Sequence, residues 1–179
     1  ASVVADPTST ISYGYAGDQS IAAVDYGNLR VSGGGDKTLL GDVGVRGVLE
    51  LSGARVVLAQ RDLTLKLGAS LIAGQPFSSS NMLVTEGAGL FIREGAASSD
   101  FLGIYPVGSG GAYAPFQIDN FQVTGSGSIS VRTTPGNAPG SNPTDLQRHW
   151  ITSVAGVSVQ DASVRFTYAN GELPNTVSY

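Results

Sequence analysis

Short apolar pairs follow one another closely in the first hundred residues, too closely for long hairpins and without the period of an amphipathic helix. From Val43 onward, apolar pairs with a period of two begin at positions 43, 49, 56, 63 and 71. Such spacing leaves room for strands of about three to five residues joined by very short turns. A chain with this pattern winds into a solenoid, and three strands per coil give coils of about 20 residues.

The winding pattern also predicts which residues stack on one another. With coils of about 20 residues, Leu29, Leu49 and Leu71 fall on one face, and Val43 and Leu63 fall on another. Glycine accounts for 25 of the 179 residues, about twice its usual share, and can supply corners that need a positive φ. We therefore predict an all-β protein whose first part, residues 18–100, is a short β-solenoid.

The sequence changes character after residue 100, where the apolar runs become longer and richer in aromatic residues. These runs predict an antiparallel β-sheet or sandwich region that caps the solenoid. The predicted domains are residues 1–100, an N-terminal strand segment with the solenoid, and residues 101–179, the cap packed on it. Between the later strands, residues 133–144 contain three prolines and two glycines, and this composition predicts an irregular surface loop.

Composition excludes several classes of function. The formal net charge is −4, so no overall positive field is available to hold nucleic acid. No apolar run approaches the roughly 18 residues that a membrane-spanning helix needs, and we expect no membrane insertion. The absence of cysteine excludes disulfides, thiolate metal sites and thiol catalysis, but it is compatible with either an intracellular or an extracellular location.

Two local motifs were tested for chemistry. His149 is the single histidine, and no nucleophile motif accompanies it, so neither a catalytic triad nor a zinc site is expected. The segment 33–38 has three glycines before a lysine, but Asp36 stands where a phosphate-binding loop needs glycine. This segment predicts a tight turn between two short strands.

A pair of carboxylates on neighbouring coils would be needed for a polysaccharide-cleaving enzyme. The acidic candidates are Asp18, Asp25, Asp36, Asp42, Asp62, Glu86, Glu94 and Asp100. Most of them stand alone among glycine and serine, and about four coils offer little groove for a polymer. We therefore predict that the protein is not an enzyme and has no catalytic residue. Calcium binding stays open because carbonyl oxygens can be ligands, although no calcium-binding loop motif is present.

Six short blocks occur in order along the chain. They are Gly17-x-Gln19-x-Ile21, Tyr26-x-Asn28-Leu29-x-x-Ser32-Gly33, Lys37-Thr38-Leu39-x-Gly41, Tyr105-Pro106-Val107-Gly108 with Tyr113-x-Pro115, Leu146-x-Arg148-x-Trp150, and Val164-x-Phe166-x-Tyr168. In order and spacing they resemble a β-rich module of large secreted, adhesin-like surface proteins of Bacteroidota-type bacteria, which are commonly exported by the type IX route. Ile151 directly after Trp150 departs slightly from that pattern. The resemblance implies an extracellular, cell-surface location, a structural or adhesive role and no catalytic residues.

Both ends of the chain contain strand-like segments that could add to the open sheet edge of a neighbour. The residues predicted to take part in assembly are Val3, Val4, Ile11, Tyr13, Val177 and Tyr179. We predict self-association, or association with neighbouring modules of the same surface protein, as in a filament joined by strand addition.

Four residues are predicted to be structural anchors. Tyr26 and Asn28 are expected to close a turn in the first coil, while the Arg148 guanidinium is expected over or beside the Trp150 indole.

The leading hypothesis is a noncatalytic structural or adhesive module. The alternative is a carbohydrate-binding module that uses exposed tyrosines and the 133–144 loop to bind a glycan.

Overall fold

A computed structural model describes residues 5–142 and 145–172, and strands account for most of the ordered backbone in those ranges. The strands are β1 (Thr10–Tyr13), β2 (Gln19–Ile21), β3 (Asp25–Tyr26), β4 (Asn28–Ser32), β5 (Asp36–Leu39), β6 (Val43–Val45), β7 (Val48–Ser52), β8 (Arg55–Val57), β9 (Leu63–Leu65), β10 (Ser70–Ala73), β11 (Leu83–Val84), β12 (Phe91–Gly95), β13 (Gly103–Tyr105), β14 (Val107–Ser109), β15 (Ala112–Tyr113), β16 (Phe116–Thr124), β17 (Gly127–Pro135), β18 (Arg148–Ala155) and β19 (Ser158–Phe166). The helices are α1 (Ser98–Phe101) and a 3₁₀ turn at Asn170–Glu172. Neither of these helices is long or apolar enough to cross a membrane.

The strands from β1 to β12 form three faces of a solenoid, with every third strand on the same face. Face 1 has the order β1-β4-β7-β10, face 2 has the order β15-β14-β11-β8-β5-β2, and face 3 has the order β18-β17-β12-β9-β6-β3. Five strands of face 2, from β2 to β14, are parallel neighbours, which gives about five turns. The all-β class and the β-solenoid predicted from the sequence are therefore confirmed.

The predicted stacking of residues also matches the observed register. Ile11, Leu29, Leu49 and Leu71 are successive partners along face 1. On face 3, Val43 pairs with Leu63. Because parallel neighbours in register keep equivalent side chains on the same side of the sheet, each buried residue lies above its counterpart in the previous coil.

The last part of the chain changes from parallel winding to antiparallel pairing. Parallel stacking continues beyond residue 100, as far as β14. Strand β13 comes between face 3 and face 2 in the chain, where each earlier coil has a face 1 strand. It belongs to a separate three-stranded sheet with the order β13-β16-β19, here called the cap sheet. Strands β17 and β18 continue face 3 in antiparallel fashion.

One core runs through the solenoid and the antiparallel region. Buried side chains from all three faces form a single cluster with buried residues of the cap sheet, including Phe116, Ile118 and Phe121. Aromatic edge contacts join the two parts: the rings of Phe91 and Tyr105 are 5.7 Å apart. The antiparallel region therefore shares hydrogen-bonded sheets and a core with the solenoid.

The expectation of an irregular segment from residue 133 to residue 144 is wrong at its beginning. Strand β17 continues to Pro135, and Thr133 is fully buried. The Thr133 N–H donates to the Thr85 hydroxyl at 3.0 Å, and that hydroxyl donates to the Thr133 carbonyl oxygen at 3.2 Å. This reciprocal pair holds the strand in place. Pro135 is accommodated because it is the last residue of the strand, and residues 143 and 144 lie outside the described ranges.

Glycine at the corner before β5 allows two successive coils to pack closely, and substitution there tests this packing. Gly35 has φ +65°, and a Cβ at this position would lie 2.6 Å from the backbone carbon of Gly17 in the previous coil. Gly68 has φ +83°, but no atom lies within 4 Å of its Cβ position. We expect Gly35→Ala to lower the free energy of unfolding by roughly 3 kcal/mol, because it adds a backbone clash to the left-handed strain, and Gly68→Ala to lower it by only about 1 kcal/mol. Urea denaturation followed by circular dichroism measures both, and equal losses would contradict close packing at this corner.

Candidate functional site

The assembly residues predicted near the N-terminus lie partly on β1, an edge strand of face 1. Ile11 and Tyr13 pair in register with Leu29 and Val31, so their side chains point toward the core. The Tyr13 hydroxyl lies 2.9 Å from the Tyr26 hydroxyl and accepts the Ala22 N–H at 3.1 Å. Tyr13 thus takes part in closing the first coil. The other four predicted assembly residues, Val3, Val4, Val177 and Tyr179, lie outside the described residues.

The predicted anchors Tyr26 and Asn28 lie at the corner between face 3 and face 1. Buried Tyr26 donates its hydroxyl to the Ala22 carbonyl oxygen at 2.9 Å, across the turn that precedes it. The Asn28 side chain connects three coils, because its amide nitrogen donates to the Ser9 carbonyl oxygen at 3.3 Å and its oxygen accepts the Val48 N–H at 2.9 Å. The Asn28 side chain therefore holds this corner together across three successive coils.

Arg148 and Trp150 each bind a different part of the molecule. Arg148 is buried at the start of β18 and donates to the Ser109 hydroxyl and carbonyl oxygens and, at 2.7 Å, to Glu172. Trp150 donates its indole N–H to the Ala114 carbonyl oxygen at 3.0 Å. The guanidinium-over-ring contact that the structure describes is instead formed by Arg93, 4.8 Å from the centre of the Tyr105 ring.

The eight acidic residues considered for catalysis all have structural partners. Arginine or lysine pairs with Asp25, Asp36 and Glu94. Backbone N–H groups donate to the other side chains, namely Asp18, Asp42, Asp62, Glu86 and Asp100. Within residues 5–142 and 145–172, no three side chains of the metal-binding types come together as a candidate site.

Several of these acids form a corner ladder that the sequence reasoning missed. The Asp42 carboxylate accepts the Asp62 N–H at 3.0 Å, and the Asp62 carboxylate accepts the Leu90 N–H at 2.9 Å in the next coil. Likewise Asp18 accepts the Asp36 N–H at 2.8 Å. The signal was present in the sequence, because these aspartates recur at about the coil length. Their oxygens satisfy donors that would otherwise face solvent between strands.

The glycine-rich segment 33–38 forms the corner between β4 and β5 and places a lysine inside the molecule. Lys37 is completely buried. Its ammonium group donates to the carbonyl oxygens of Tyr15, at 2.6 Å, and Gly17, at 2.5 Å, in the first coil. These charge-assisted hydrogen bonds satisfy two carbonyl groups at the N-terminal end of the solenoid. The side chain is therefore committed to the fold and does not present its charge to a ligand.

The candidate functional site is the opposite end of the molecule, where β18 and β19 are the edge strands of face 3 and of the cap sheet. Here called the open end, this surface consists of residues 148–155 and 158–166. The two strands contain neither lysine nor proline, residues that commonly protect exposed edges from pairing with other chains. The open end is thus a pair of long sheet edges without either of these two protecting residues in the described structure.

Side chains of the open end that face the core are nevertheless exposed. Val154 pairs with buried Ile129, and Val164 pairs with buried Ile118, so both valines point between face 3 and the cap sheet. Their exposed fractions are each 43%, and Val159 beside them reaches 45%. The first coil differs, because Ile21 and Tyr26 there are almost completely buried. Within the part of the chain that the structure describes, the core is therefore more exposed at this end than at the first coil.

A shallow aromatic groove lies at one corner of the open end. The Trp150 and Phe166 rings are 5.0 Å apart and tilted by 51°, which brings β18 and β19 together there. Leu146, Arg148, His149 and Tyr168 complete the lining. The His149 Nδ1 lies 3.1 Å from the carbonyl oxygen of Gly136. The groove thus combines ring faces with residues that follow the predicted 133–144 loop.

Comparison of the chain with protein-family models, curated proteins and solved structures found no match.

The ion pair at the edge of the groove predicts a pH dependence of stability. Burial by itself raises the pKa of the Glu172 carboxyl, but hydrogen bonds from Arg148 and the Ala169 N–H, with the Arg148 charge, outweigh burial and lower the pKa below its usual value. A lowered folded-state pKa stabilises the fold above the unfolded-state pKa of about 4.3, and this contribution disappears as pH falls through the folded value. We therefore expect Glu172→Gln to lower the urea midpoint at pH 7 and the difference from wild type to shrink below about pH 4.

The matched control for this prediction is Glu50→Gln, which removes the carboxylate from the more exposed pair with Arg30. Exposed pairs contribute little to stability, so its midpoint should change slightly at any pH. A Glu172→Gln deficit that stays constant down to acidic pH would contradict the role given to the carboxylate.

Proposed function

We propose that the chain is a noncatalytic structural or adhesive module of an extracellular surface, and that it joins its neighbours by strand addition at the open end. The observation that carries this proposal concerns the described residues 5–142 and 145–172: among them, apolar side chains of the core are exposed between two edge strands, β18 and β19. Exposed edges can pair with strands of another chain, and exposed apolar side chains supply the driving force for burial. The neighbour is a second copy of the chain or another module of the same surface protein.

The noncatalytic part of the proposal is supported by the way the polar groups are used. Six of the eight acidic candidates are bound to arginine, lysine or backbone N–H groups of a neighbouring coil. Arg148 is likewise occupied by Ser109 and Glu172. Groups held in this way stabilise stacking, whereas catalysis needs acids and bases that face a substrate.

The cell-surface location and the type IX export route rest on the resemblance of the six sequence blocks. Several of these blocks coincide with structural corners: Tyr26 and Asn28 connect coils, and Arg148 connects face 3 with face 2. The blocks therefore describe a folding pattern, which suits a module repeated for display or assembly. Filaments are one form that repeated strand addition would take.

Substitution of the uncovered core residues tests the proposed assembly. The double variant Val154→Lys/Val164→Lys places two charges between face 3 and the cap sheet, where an added strand would bury them. We expect the wild-type chain to form oligomers or filaments and this variant to remain monomeric, because burying an unpaired ammonium group is strongly unfavourable. Size-exclusion chromatography with light scattering, together with negative-stain imaging, measures the difference.

The matched control is Leu40→Lys/Ile72→Lys, which changes two exposed apolar residues outside the open end. This control should assemble like the wild type. Circular dichroism should show the same β content for all three proteins. A wild-type chain that is monomeric at every concentration, and whose behaviour the open-end lysines do not alter, would contradict assembly by strand addition.

The aromatic groove favours a second candidate function, a carbohydrate-binding module. Trp150, Phe166 and Tyr168 line one shallow, largely apolar surface next to the imidazole of His149. Aromatic ring faces beside hydrogen-bonding groups are suited to the apolar faces of sugar rings. Of the predicted binding elements, this candidate keeps an exposed tyrosine, Tyr168, whereas the residues that line the groove come after the 133–144 loop and not from it.

A single aromatic substitution tests the carbohydrate-binding candidate. If the groove binds a glycan found by array screening, Tyr168→Ala should weaken binding by about tenfold or more, since loss of one stacked ring removes at least ~1.4 kcal/mol of binding free energy. Tyr15→Ala is the matched control, because Tyr15 is a more exposed tyrosine outside the groove. Isothermal titration that shows equal losses for both variants, or no glycan binding by the wild type, would contradict this function.

A further inference from the structure

The two ends of the described solenoid differ in a way that restricts how copies can meet. At the first coil, Ile21 and Tyr26 are buried, and Ile11 is the one large apolar residue of β1–β3 that is exposed. At the open end, Val154, Val164 and several other apolar side chains are exposed. A head-to-tail contact would place this apolar surface against an end that is mostly closed. A contact between two open ends would bury apolar surface on both copies.

Strand β19 has a regular stretch that is suited to such a contact. Its pairing with β16 shifts register twice, and the shift on β19 itself skips Gln160. From Asp161 to Phe166, every residue of β19 has a partner on β16, so β19 has no bulge in this stretch. The second register shift comes from an unpaired residue on β16, Asp119. Bulges commonly protect edges, and this stretch of the free edge contains none.

On this regular stretch, an acidic residue and a basic residue lie at equal distances on either side of Ser163. Asp161 precedes Ser163 by two residues and Arg165 follows it by two, and both face outward because they pair with the polar residues Gln122 and Gln117.

Both charges also have a partner within the chain. Asp161 accepts a hydrogen bond from the Asn120 amide at 2.7 Å, and Arg165 forms an ion pair with Asp119 at 3.0 Å. Because Asp161 and Arg165 stay exposed, they can also face a partner strand. Antiparallel pairing of two β19 strands centred on Ser163 would place Asp161 of each copy opposite Arg165 of the other. Opposite charges at directly paired positions stabilise a sheet, and like charges destabilise it.

We infer that the partner at the open end is a second copy of this chain, joined by antiparallel β19–β19 pairing centred on Ser163. The pairing rests on the strand-addition function proposed above. It uses the same surface of both copies, so it closes as a two-fold dimer rather than extending into a filament. Val164 of each copy comes opposite the Ala162 of the other, and the uncovered core is continued across the interface. Strand β18 has no charged residue between Trp150 and Ala155 that would oppose this approach.

Charge exchange between the paired positions tests the register directly. In an Asp161→Arg dimer, arginine would face arginine at both positions, and in an Arg165→Asp dimer, aspartate would face aspartate. Each single variant should therefore dissociate roughly tenfold or more readily than the wild type. An equimolar mixture of the two variants should form a heterodimer, because every arginine then faces an aspartate. The double variant Asp161→Arg/Arg165→Asp should form a homodimer for the same reason.

Sedimentation equilibrium of the full chain measures all five samples, and recovery in the mixture also shows that both single variants are folded. Single variants that dimerise as tightly as the wild type, or a mixture that stays monomeric, would overturn the pairing. Assembly that is lost in Val154→Lys/Val164→Lys but unaffected at Asp161 and Arg165 would overturn this register and leave strand addition intact. A wild-type assembly larger than a dimer would also overturn the β19–β19 pairing while leaving strand addition intact. A wild-type chain that is always monomeric would overturn both proposals.

Discussion

The whole structure depends on one constraint, which is that parallel strands of successive coils pair in register. When Leu29, Leu49 and Leu71 occupy equivalent positions on face 1, each side chain lies on another of similar size. Register then determines where every corner falls, because a coil that gained one residue within a strand would turn its buried side chains to solvent. The corner contacts follow from this: Asp42 can accept the Asp62 N–H because the coil length brings them together.

The two ends of the solenoid are closed in different ways. At the N-terminal end, the hydroxyl of Tyr13 and the ammonium group of Lys37 satisfy backbone groups of the first coil. At the other end, the chain changes from parallel winding to antiparallel pairing, which adds β17 and β18 to face 3 and β16 and β19 to the cap sheet. This change of direction closes the middle of the core but leaves Val154 and Val164 at its margin exposed. The proposed functions all use that margin, as an edge for a partner or as a groove for a glycan.

The sequence predicted the solenoid well because repetition is a local signal. Apolar pairs at regular intervals identify both the strands and their stacking partners, as for Val43 and Leu63. Long-range polar contacts leave no such signal. Thr133 was assigned to a loop on the basis of the prolines after it, yet its bonds with Thr85 keep it in a strand. Similarly, the sequence predicts Trp150 as a neighbour of Arg148 but gives no sign of the hydrogen-bond partners Ser109 and Glu172, which lie far from Arg148 in sequence.

The candidate site also combines features that local sequence predicts with features that depend on long-range contacts. From the amino-acid sequence alone, the all-β class, the coil of about 20 residues and the change to longer strands after residue 100 could be derived, since each depends on periodicity within a short window. Only the tertiary structure decided that β18 and β19 pair with β17 and β16 rather than with each other. As a result, β18 and β19 belong to different sheets although a tight turn joins them, and each is an edge strand of its sheet. Val164 is exposed because, among the described residues, β19 is paired on one side only. The local sequence around Val164 contains no signal for this, since the position of a strand in a sheet depends on residues far away in the chain.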